Sequence, residues 1–469
     1  PSKEQPSKSS KKRPRTKKLK LVPAKKMSPK PTGTRQISTG PSSLLQISDS
    51  EIRQRIKPAD NIQIKASAYY LSNREIFINF MTSLFEKYKR ELGLIETSAT
   101  CERDESTEFQ AMGHQKLVRD YLALFSPYRG LLLYHGLGSG KTCSSIAIAE
   151  GLKSDKRVIV MVPASLRTNY IEELKKCGDS LYRKNQHWDF LSTKDRPELV
   201  ETLAEVLSLP SDTIQAMGGA WMMNASRPPN FDLLDANSVR SLDKQLDAMI
   251  SQKYSFINYN GLRETHLRDL TNNYTVNPFD GKAVIVDEAH NFVSRIVNKM
   301  KKPDSLSMRL YEYMQTAEDA RIVFLTGTPI INYPNEIGVL FNMLRGKIKT
   351  WSFKLAISSS RKMNLESIKK LFKSTVIGGN VLDYIDYKPS TATLVVTRNP
   401  FGFVNKTSKG VYKGVRLAER GTLSDSDFVL SIERILNKAN IKIVPGATEV
   451  SLYKALPDTL EEFSAYFID

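Results

Sequence analysis

Leu131–Thr142 reads LLLYHGLGSGKT: an apolar run halts at three glycines and then at Lys141 and Thr142. This is the form of a buried strand that feeds a phosphate-binding loop. Gly136, Gly138 and Gly140 let the backbone curl around phosphates without side-chain clashes, Ser139 lies in the same curl, and successive N–H groups converge at a helix N-terminus. Lys141 is placed to pair with the β- and γ-phosphates of ATP, and Thr142 to hold Mg²⁺. His135 stands where the strict GxxxxGK[ST] pattern has its first glycine. A plain turn would also use glycines, but the position at the end of an apolar run favours the phosphate reading.

Working outward, the chain from Phe109 alternates short apolar runs with helical stretches. Strands are expected at Leu131–Tyr134, Val158–Val162, Ser255–Tyr259, Ala283–Val286 and Ile322–Leu325, each followed by a polar or glycine-containing loop. That alternation predicts an α/β fold around a parallel sheet. Pro163–Tyr254 is long for one crossover, and an insertion with its own helices, at about 175–250, fits better than a structureless loop. Upstream, Tyr69, Tyr70, Ile76, Phe77, Phe80, Met81, Leu84 and Phe85 recur at near-helical spacing, which predicts a helical lead-in. Beyond Gly346 a strand is expected at Leu394–Thr397, a turn-rich stretch at Phe403–Gly414 and a helix at Asp425–Asn437.

The second chemical element is Ala283–His290, AVIVDEAH. A β-branched strand ends in paired carboxylates, which places Asp287 and Glu288 at the carboxyl edge of the sheet, where open α/β sheets bind ligands. Asp287 is read as a Mg²⁺ ligand, and Glu288 as the catalytic base that orients and deprotonates the attacking water, with Lys141 completing the catalytic set. Adjacent acids could also cap the next helix, a reading that the phosphate loop outweighs. Phe324–Pro329, FLTGTP, offers the Thr326 and Thr328 hydroxyls for sensing the γ-phosphate, with His290 as their partner. The Gly and Pro alone would be explained equally well by a strand-to-turn transition. Gln115, in GHQKLVRDYL, carries an amide that could read the paired donor and acceptor of adenine, unless it is simply a helical surface residue. Pro163–Asn169, PASLRTN, could grip a nucleic-acid backbone through Ser165, Arg167 and Thr168, or be a solvated loop.

The 469 residues exceed one ordinary core, and 40% hydrophobic content supports a globular protein of two to three domains. No run approaches the length needed to cross a bilayer and no signal-peptide pattern opens the chain, so a soluble protein without a membrane partner is expected. Cys101, Cys143 and Cys177 are too few and too scattered for a disulfide framework or a zinc site, which fits a reducing intracellular compartment. The net charge of +19 is unevenly placed. Residues 1–40 hold thirteen Lys/Arg and one acid, Glu4, and KKRPRTKKLK at Lys11–Lys20 cannot bury enough apolar surface to order itself. A disordered basic arm over 1–61 is expected. It could bind nucleic acid without sequence preference, serve as a nuclear address, or act only as a solvated tail.

The order Gln115, GLGSGKT, PASLRTN, DEAH, TGTP resembles the first motor domain of superfamily 2 helicases, over residues 109–346. Tyr259–Asn260 stands where chromatin-remodeller-like members carry a further nucleic-acid-contact motif. AYYLSNREIFINF at Ala68–Phe80, NPFDGKAVIVDEAHNFVSRIVN at Asn277–Asn298 and ALPDTLEEFSAYFID at the end of the sequence are similar to the poxvirus-type helicases of large nucleocytoplasmic DNA viruses. The resemblance implies a RecA-like P-loop NTPase core at 105–346, preceded by the lead-in at 62–104. It implies an ATP- and Mg²⁺-dependent motor on nucleic acid, DNA in preference to RNA, acting in viral transcription with viral RNA polymerase or transcription factors. Host cytoplasm, host nucleus or the virion would be its location. An ATP-switched assembly factor that grips a transcription complex without unwinding is the alternative. One departure stands out: no glutamine follows Gln315, so the Gln- and Arg-containing motif of a second motor domain is missing. Residues 347–469 are accordingly expected to be a linker or insert leading toward a second motor domain that is absent here or separately encoded.

Overall fold

The computed structural model describes residues 46–47, 50–51, 55–56, 66, 68–71, 74–86, 88, 113–123, 126–136, 138–357, 363–373, 379–408, 411–418 and 423–468. The expected basic arm lies almost wholly outside these residues, as does much of the lead-in. Within the lead-in, Arg74–Leu84 forms a helix, as its periodicity predicts. A two-residue pairing of β1 (Gln46–Ile47) with β2 (Ser50–Glu51) precedes it.

The core is a five-stranded parallel sheet built from β3 (Gly130–Tyr134), β4 (Val158–Val162), β7 (Tyr254–Asn258), β8 (Ala283–Val286) and β9 (Arg321–Thr326). All five are the strands expected from the sequence, within two residues at either end. They read clearly because β4, β8 and β9 are buried along their whole length, and a sheet covered on both faces demands unbroken apolar runs. Two clusters of buried residues cover the faces. One includes Val160, Leu133 and Ile146, and the other Met161, Val286 and Phe292.

The strand order is β3-β9-β8-β4-β7. Because β9 is inserted between β3 and β8, the end of β9 stands between the phosphate-loop strand and the carboxylate strand. The order alone therefore brings three motifs, separated by nearly two hundred residues of sequence, to one edge.

The expected insertion is present between β4 and β7. It comprises an antiparallel pair, β5 (Trp188–Ser192) with β6 (Gly219–Met223), and helices Leu199–Leu207, Ser211–Met217 and Ala236–Lys253. The amide of Gln245, buried on the last of these helices, accepts from Trp221 N–H and donates to Trp221 O, both at 2.8 Å, and so satisfies the open edge of β6.

Residues 347–469, expected to be a linker or insert, carry a sheet of their own among the described residues. Strands β10 (Ile348–Ala356), β11 (Leu382–Lys388), β12 (Thr393–Arg398) and β15 (Lys442–Tyr453) form an antiparallel sheet of order β11-β12-β10-β15. Helices Leu365–Lys373 and Asp425–Lys438 connect its strands in a βαββαβ sequence. The unit has a core of its own around Trp351, Phe353, Leu394, Val396, Phe428 and Ile432. The stretch expected to be turn-rich is a hairpin, β13 (Phe403–Ser408) with β14 (Val411–Leu417). Its Val415 exchanges backbone hydrogen bonds with Tyr69 of the lead-in. The segment after β15 docks back on the parallel-sheet core, where Asp458 accepts from the Tyr311 hydroxyl at 2.7 Å and Asn342 donates to the Leu456 carbonyl at 2.8 Å. Gly338 permits this approach, since a Cβ there would lie 2.1 Å from the Pro457 carbonyl oxygen. No helix among the described residues is long and apolar enough to cross a membrane.

Candidate active site

The loop after β3 enters the helix Lys141–Leu152 through Gly138 (φ 77°) and Gly140 (φ 74°), two left-handed positions that a side chain would strain. Left-handed glycines just before a helix N-terminus are the backbone form in which N–H groups are offered to an anion. Ser139 Oγ donates to the Gly136 carbonyl at 2.9 Å and closes the curl. The Lys141 ammonium lies within it, 3.0 Å from the carbonyls of His135 and of Gly136. Thr142 follows in the first turn, half-buried.

Gln115 is brought to this loop. It is buried on the helix Gly113–Tyr121, and a Cβ at Gly140 would come within 3.0 Å of its amide nitrogen. The neighbouring His114 ring meets His135 edge to face, with centroids 5.9 Å apart. Burial, then the charges of His114 and Lys141, hold the His135 imidazole below its ordinary pKa.

At the end of β8, Asp287 Oδ1 accepts from the Glu288 N–H at 2.9 Å, which fixes the first carboxylate. Burial raises this carboxyl to about 6; the bond from the Glu288 N–H opposes the rise, the Glu288 charge adds to it, and Lys141 opposes it. Glu288 has φ 47° and ψ 49°, a left-handed conformation rare outside glycine, and stands at the N-cap position of the helix Ala289–Val297 without a side-chain capping bond. His290 Nδ1 lies 2.9 Å from Thr326 Oγ1 and 3.3 Å from Glu288 Oε2. Thr326 Oγ1 also accepts from the Thr328 N–H at 3.0 Å. A Cβ at Gly327, between the two threonines, would lie 3.7 Å from the His135 carbonyl and 4.0 Å from Lys141 Nζ. The phosphate loop, the carboxylate pair and the TGT segment thus form one cluster. The Thr142 hydroxyl and the Asp287 carboxylate are oxygen donors of the kind Mg²⁺ prefers, and the N–H-rich curl suits phosphate, so the residues fit Mg-ATP.

Ser165, Arg167 and Thr168 are exposed beyond the end of β4, with the Arg167 guanidinium 5.4 Å from the Phe256 ring centroid. Asn260 is exposed and Tyr259 is not. Expected on the nucleic-acid face, Tyr259 is instead only 2% exposed, packs on Phe292, and donates its hydroxyl to the carbonyls of Asp287 and Glu288, both at 3.1 Å. Both residues stand in the turn that follows β7, which buries the first and exposes the second.

A groove of about 910 Å³ runs from Glu288 past Ser165 and Asn260 to Arg295, Lys299 and Asn332. Arg295 also donates to the Asn260 carbonyl at 3.1 Å. Sequence reasoning did not single out Arg295 or Lys299. Their signal was the four-residue spacing of Asn291, Arg295 and Lys299, which begins on the helix Ala289–Val297 and continues into the turn past its end.

Cys143 and Cys177, too scattered in the sequence to suggest a pair, are bonded to one another, with Cα atoms 5.8 Å apart. The folding of two neighbouring helices, rather than any linear spacing, brings them together.

Residues 75–377 match the family model described as the SNF2-related domain. A protein of Acanthamoeba polyphaga mimivirus, named as a putative ATP-dependent RNA helicase, is 31% identical over 232 residues, 49% of this chain and 32% of that protein. A termination factor NPH-I homolog of African swine fever virus is 28% identical over 278 residues, 57% of this chain and 30% of that protein. A helicase-named protein of Frog virus 3 is 24% identical over 246 residues, 51% of this chain and 20% of that protein. The matched region spans a third or less of each of these relatives.

Proposed function

The chain belongs to the SNF2-related domain family of superfamily 2 helicases, and from that premise we propose that it forms the nucleotide-binding core of an ATP-driven motor on DNA in viral transcription. The observation that carries this reading is the meeting of Lys141, Asp287, Glu288 and the His290–Thr326 pair at one sheet edge, where the groove lined by Ser165, Asn260 and Arg295 begins. In this reading Gln115 contacts adenine, and the loop Gly136–Gly140 with Lys141 holds the phosphates. Thr142 and Asp287 hold Mg²⁺, which supplies neutralisation of phosphate charge when bound. Glu288 takes the proton of the attacking water, and its link to His290 and Thr326 carries the state of the γ-phosphate toward the groove. Ser165, Arg167, Thr168 and Asn260 meet the nucleic-acid backbone, with Arg295 and Lys299 adding charge.

The African swine fever virus relative is named a termination factor, and a place in transcription is extended to this chain from it. A Gln- and Arg-containing motif is not among the residues after Gln315. A finger arginine of that kind is worth roughly 10³–10⁵ in rate in phosphoryl transfer, so this chain on its own is expected to turn over ATP slowly and to respond little to DNA or RNA.

The test is Glu288→Gln. The substitution should leave the affinity for a fluorescent Mg-ATP analogue within about twofold and abolish turnover measured with a sensitive phosphate probe. Hydrolysis by Glu288→Gln at the parent rate would overturn the assignment.

A further inference from the structure

We propose that Cys143 and Cys177 form a reversible disulfide that clamps the phosphate-binding helix to the helix presenting the nucleic-acid contacts. Cys143 is the third residue of Lys141–Leu152 and follows Thr142 directly. Cys177 is the last residue of Arg167–Cys177, whose first residues are Arg167 and Thr168. The Cα separation of 5.8 Å lies within the range a disulfide spans without backbone movement. The two helices are already in register through a second contact, Ser145 Oγ to the Tyr170 hydroxyl at 2.9 Å, so the sulfurs meet because the helices pack.

A carboxylate completes the arrangement. Glu173, one turn before Cys177, has Oε2 at 3.5 Å from Cys143 Sγ. Cys177 is 6% exposed while Cys143 is half-buried, so an oxidant from solvent reaches Cys143 first. With hydrogen peroxide as that oxidant, Glu173 accepts the Cys143 proton and the sulfur attacks one peroxide oxygen. The O–O bond breaks, leaving a sulfenic acid on Cys143, and the departing hydroxide takes up the proton as water. The Cys177 sulfur then attacks Cys143 Sγ, the S–O bond breaks, and hydroxide leaves with the Cys177 proton as a second water. Two electrons pass from the thiols to peroxide, and a dithiol reductant reverses the bond by exchange.

The closed loop, with a sequence separation of 34, contains β4 and the segment Pro163–Asn169. Oxidation therefore ties together the two ends of the path from phosphate to nucleic acid. The clamp itself is independent of the nucleotide reading, while its effect on coupling rests on that reading.

The test uses the full chain. After brief peroxide treatment and alkylation, peptide mapping should find Cys143 joined to Cys177 and Cys101 alkylated. In Cys177→Ser the crosslink should vanish and dimedone should label Cys143. The oxidised chain should melt roughly 5–10 °C above the reduced one, a difference that Cys177→Ser removes. Hydrogen exchange then reads the coupling: in the reduced chain Mg-ATP should change protection over 164–170, and in the oxidised chain these residues should be protected at the outset and respond at least threefold less. Free alkylation of both thiols after peroxide, pairing of either with Cys101, or a molar equivalent of zinc retained by the reduced chain would overturn the clamp. So would an equal exchange response in both forms. If the nucleotide reading is what fails, the reduced chain binds no Mg-ATP, and the mapping and the melting shift still decide the clamp.

Discussion

His290 Nδ1 and Thr326 Oγ1 lie 2.9 Å apart, joining the helix that follows the carboxylates to the end of the strand inserted beside them. Thr326 is fully buried, and its oxygen also accepts the Thr328 N–H. Thr326→Ala would remove the oxygen shared by the half-buried His290 ring and the exposed Thr328 N–H, at a cost of about 0.5–1.5 kcal/mol. It should lower the melting temperature and reduce ATP turnover, while Thr326→Ser, which keeps the oxygen, should retain most of both. Equal turnover in parent and Thr326→Ala would remove this pair from the coupling path.

Tyr259 acts on the same carboxylates from below. Its hydroxyl holds the backbone carbonyls of Asp287 and Glu288, so Tyr259→Phe should loosen the carboxylates without disturbing the phosphate loop. The expected result is a fall in kcat of about tenfold with KM for Mg-ATP nearly unchanged. The affinity for DNA should also be unchanged, because the side chain is buried. A selective loss of DNA binding would return Tyr259 to the nucleic-acid face.

The pH dependence of stability follows from Asp287. Its carboxyl is raised by burial from 3.8 to about 6, so the folded, metal-free chain binds this proton more tightly than the unfolded chain. The group's contribution is fully present below about pH 4 and is lost as pH rises through 6, above which a buried charge is retained at a penalty. Asp287→Asn removes that charge. Metal-free Asp287→Asn should therefore be more stable than the parent at pH 7, by up to about 3 kcal/mol, and equal to it near pH 4. Denaturant titrations at the two pH values measure the difference, and parallel pH profiles for the two proteins would refute the raised carboxyl.

The sequence made the parallel sheet legible because burial on both faces forces continuous apolar runs, and VIVMV or AVIV has no other reading at that length. The site was legible for a related reason, since glycines at positive φ and paired acids at a strand end serve local geometry and chemistry together. What escaped depends on distant partners. Phe403–Gly414 carries Asn, Lys, Thr and Ser at positions a hairpin can expose, so polarity hid β13 and β14, whose pairing is anchored by Tyr69 from the far end of the chain. The βαββαβ unit was obscured in the same way, as its sheet is covered by helices on one face and its strands alternate. Cys143 and Cys177 sit on separate helices, and the packing of those helices, Tyr170 on Ser145 among their contacts, brings them close.

The last expectation concerns backbone strain at Glu288. The strand ends at Val286 and the next helix begins at Ala289, so two residues must reverse the chain's course, and Glu288 does so at φ 47°. A Cβ in the left-handed region costs roughly 1–2 kcal/mol, and a glutamate is kept there because the turn leaves Oε2 beside His290 and at the mouth of the groove. At an ordinary helical position alanine is more stabilising than glycine by about 1 kcal/mol. Here the order should invert: Glu288→Gly should be more stable than Glu288→Ala by about 1 kcal/mol, although neither retains the carboxylate and neither should hydrolyse ATP. Equilibrium unfolding of the two inactive variants compares them without interference from activity. If Glu288→Ala is the more stable, residue 288 is not held in the left-handed region, and the carboxylate must reach the groove by a different turn of the backbone.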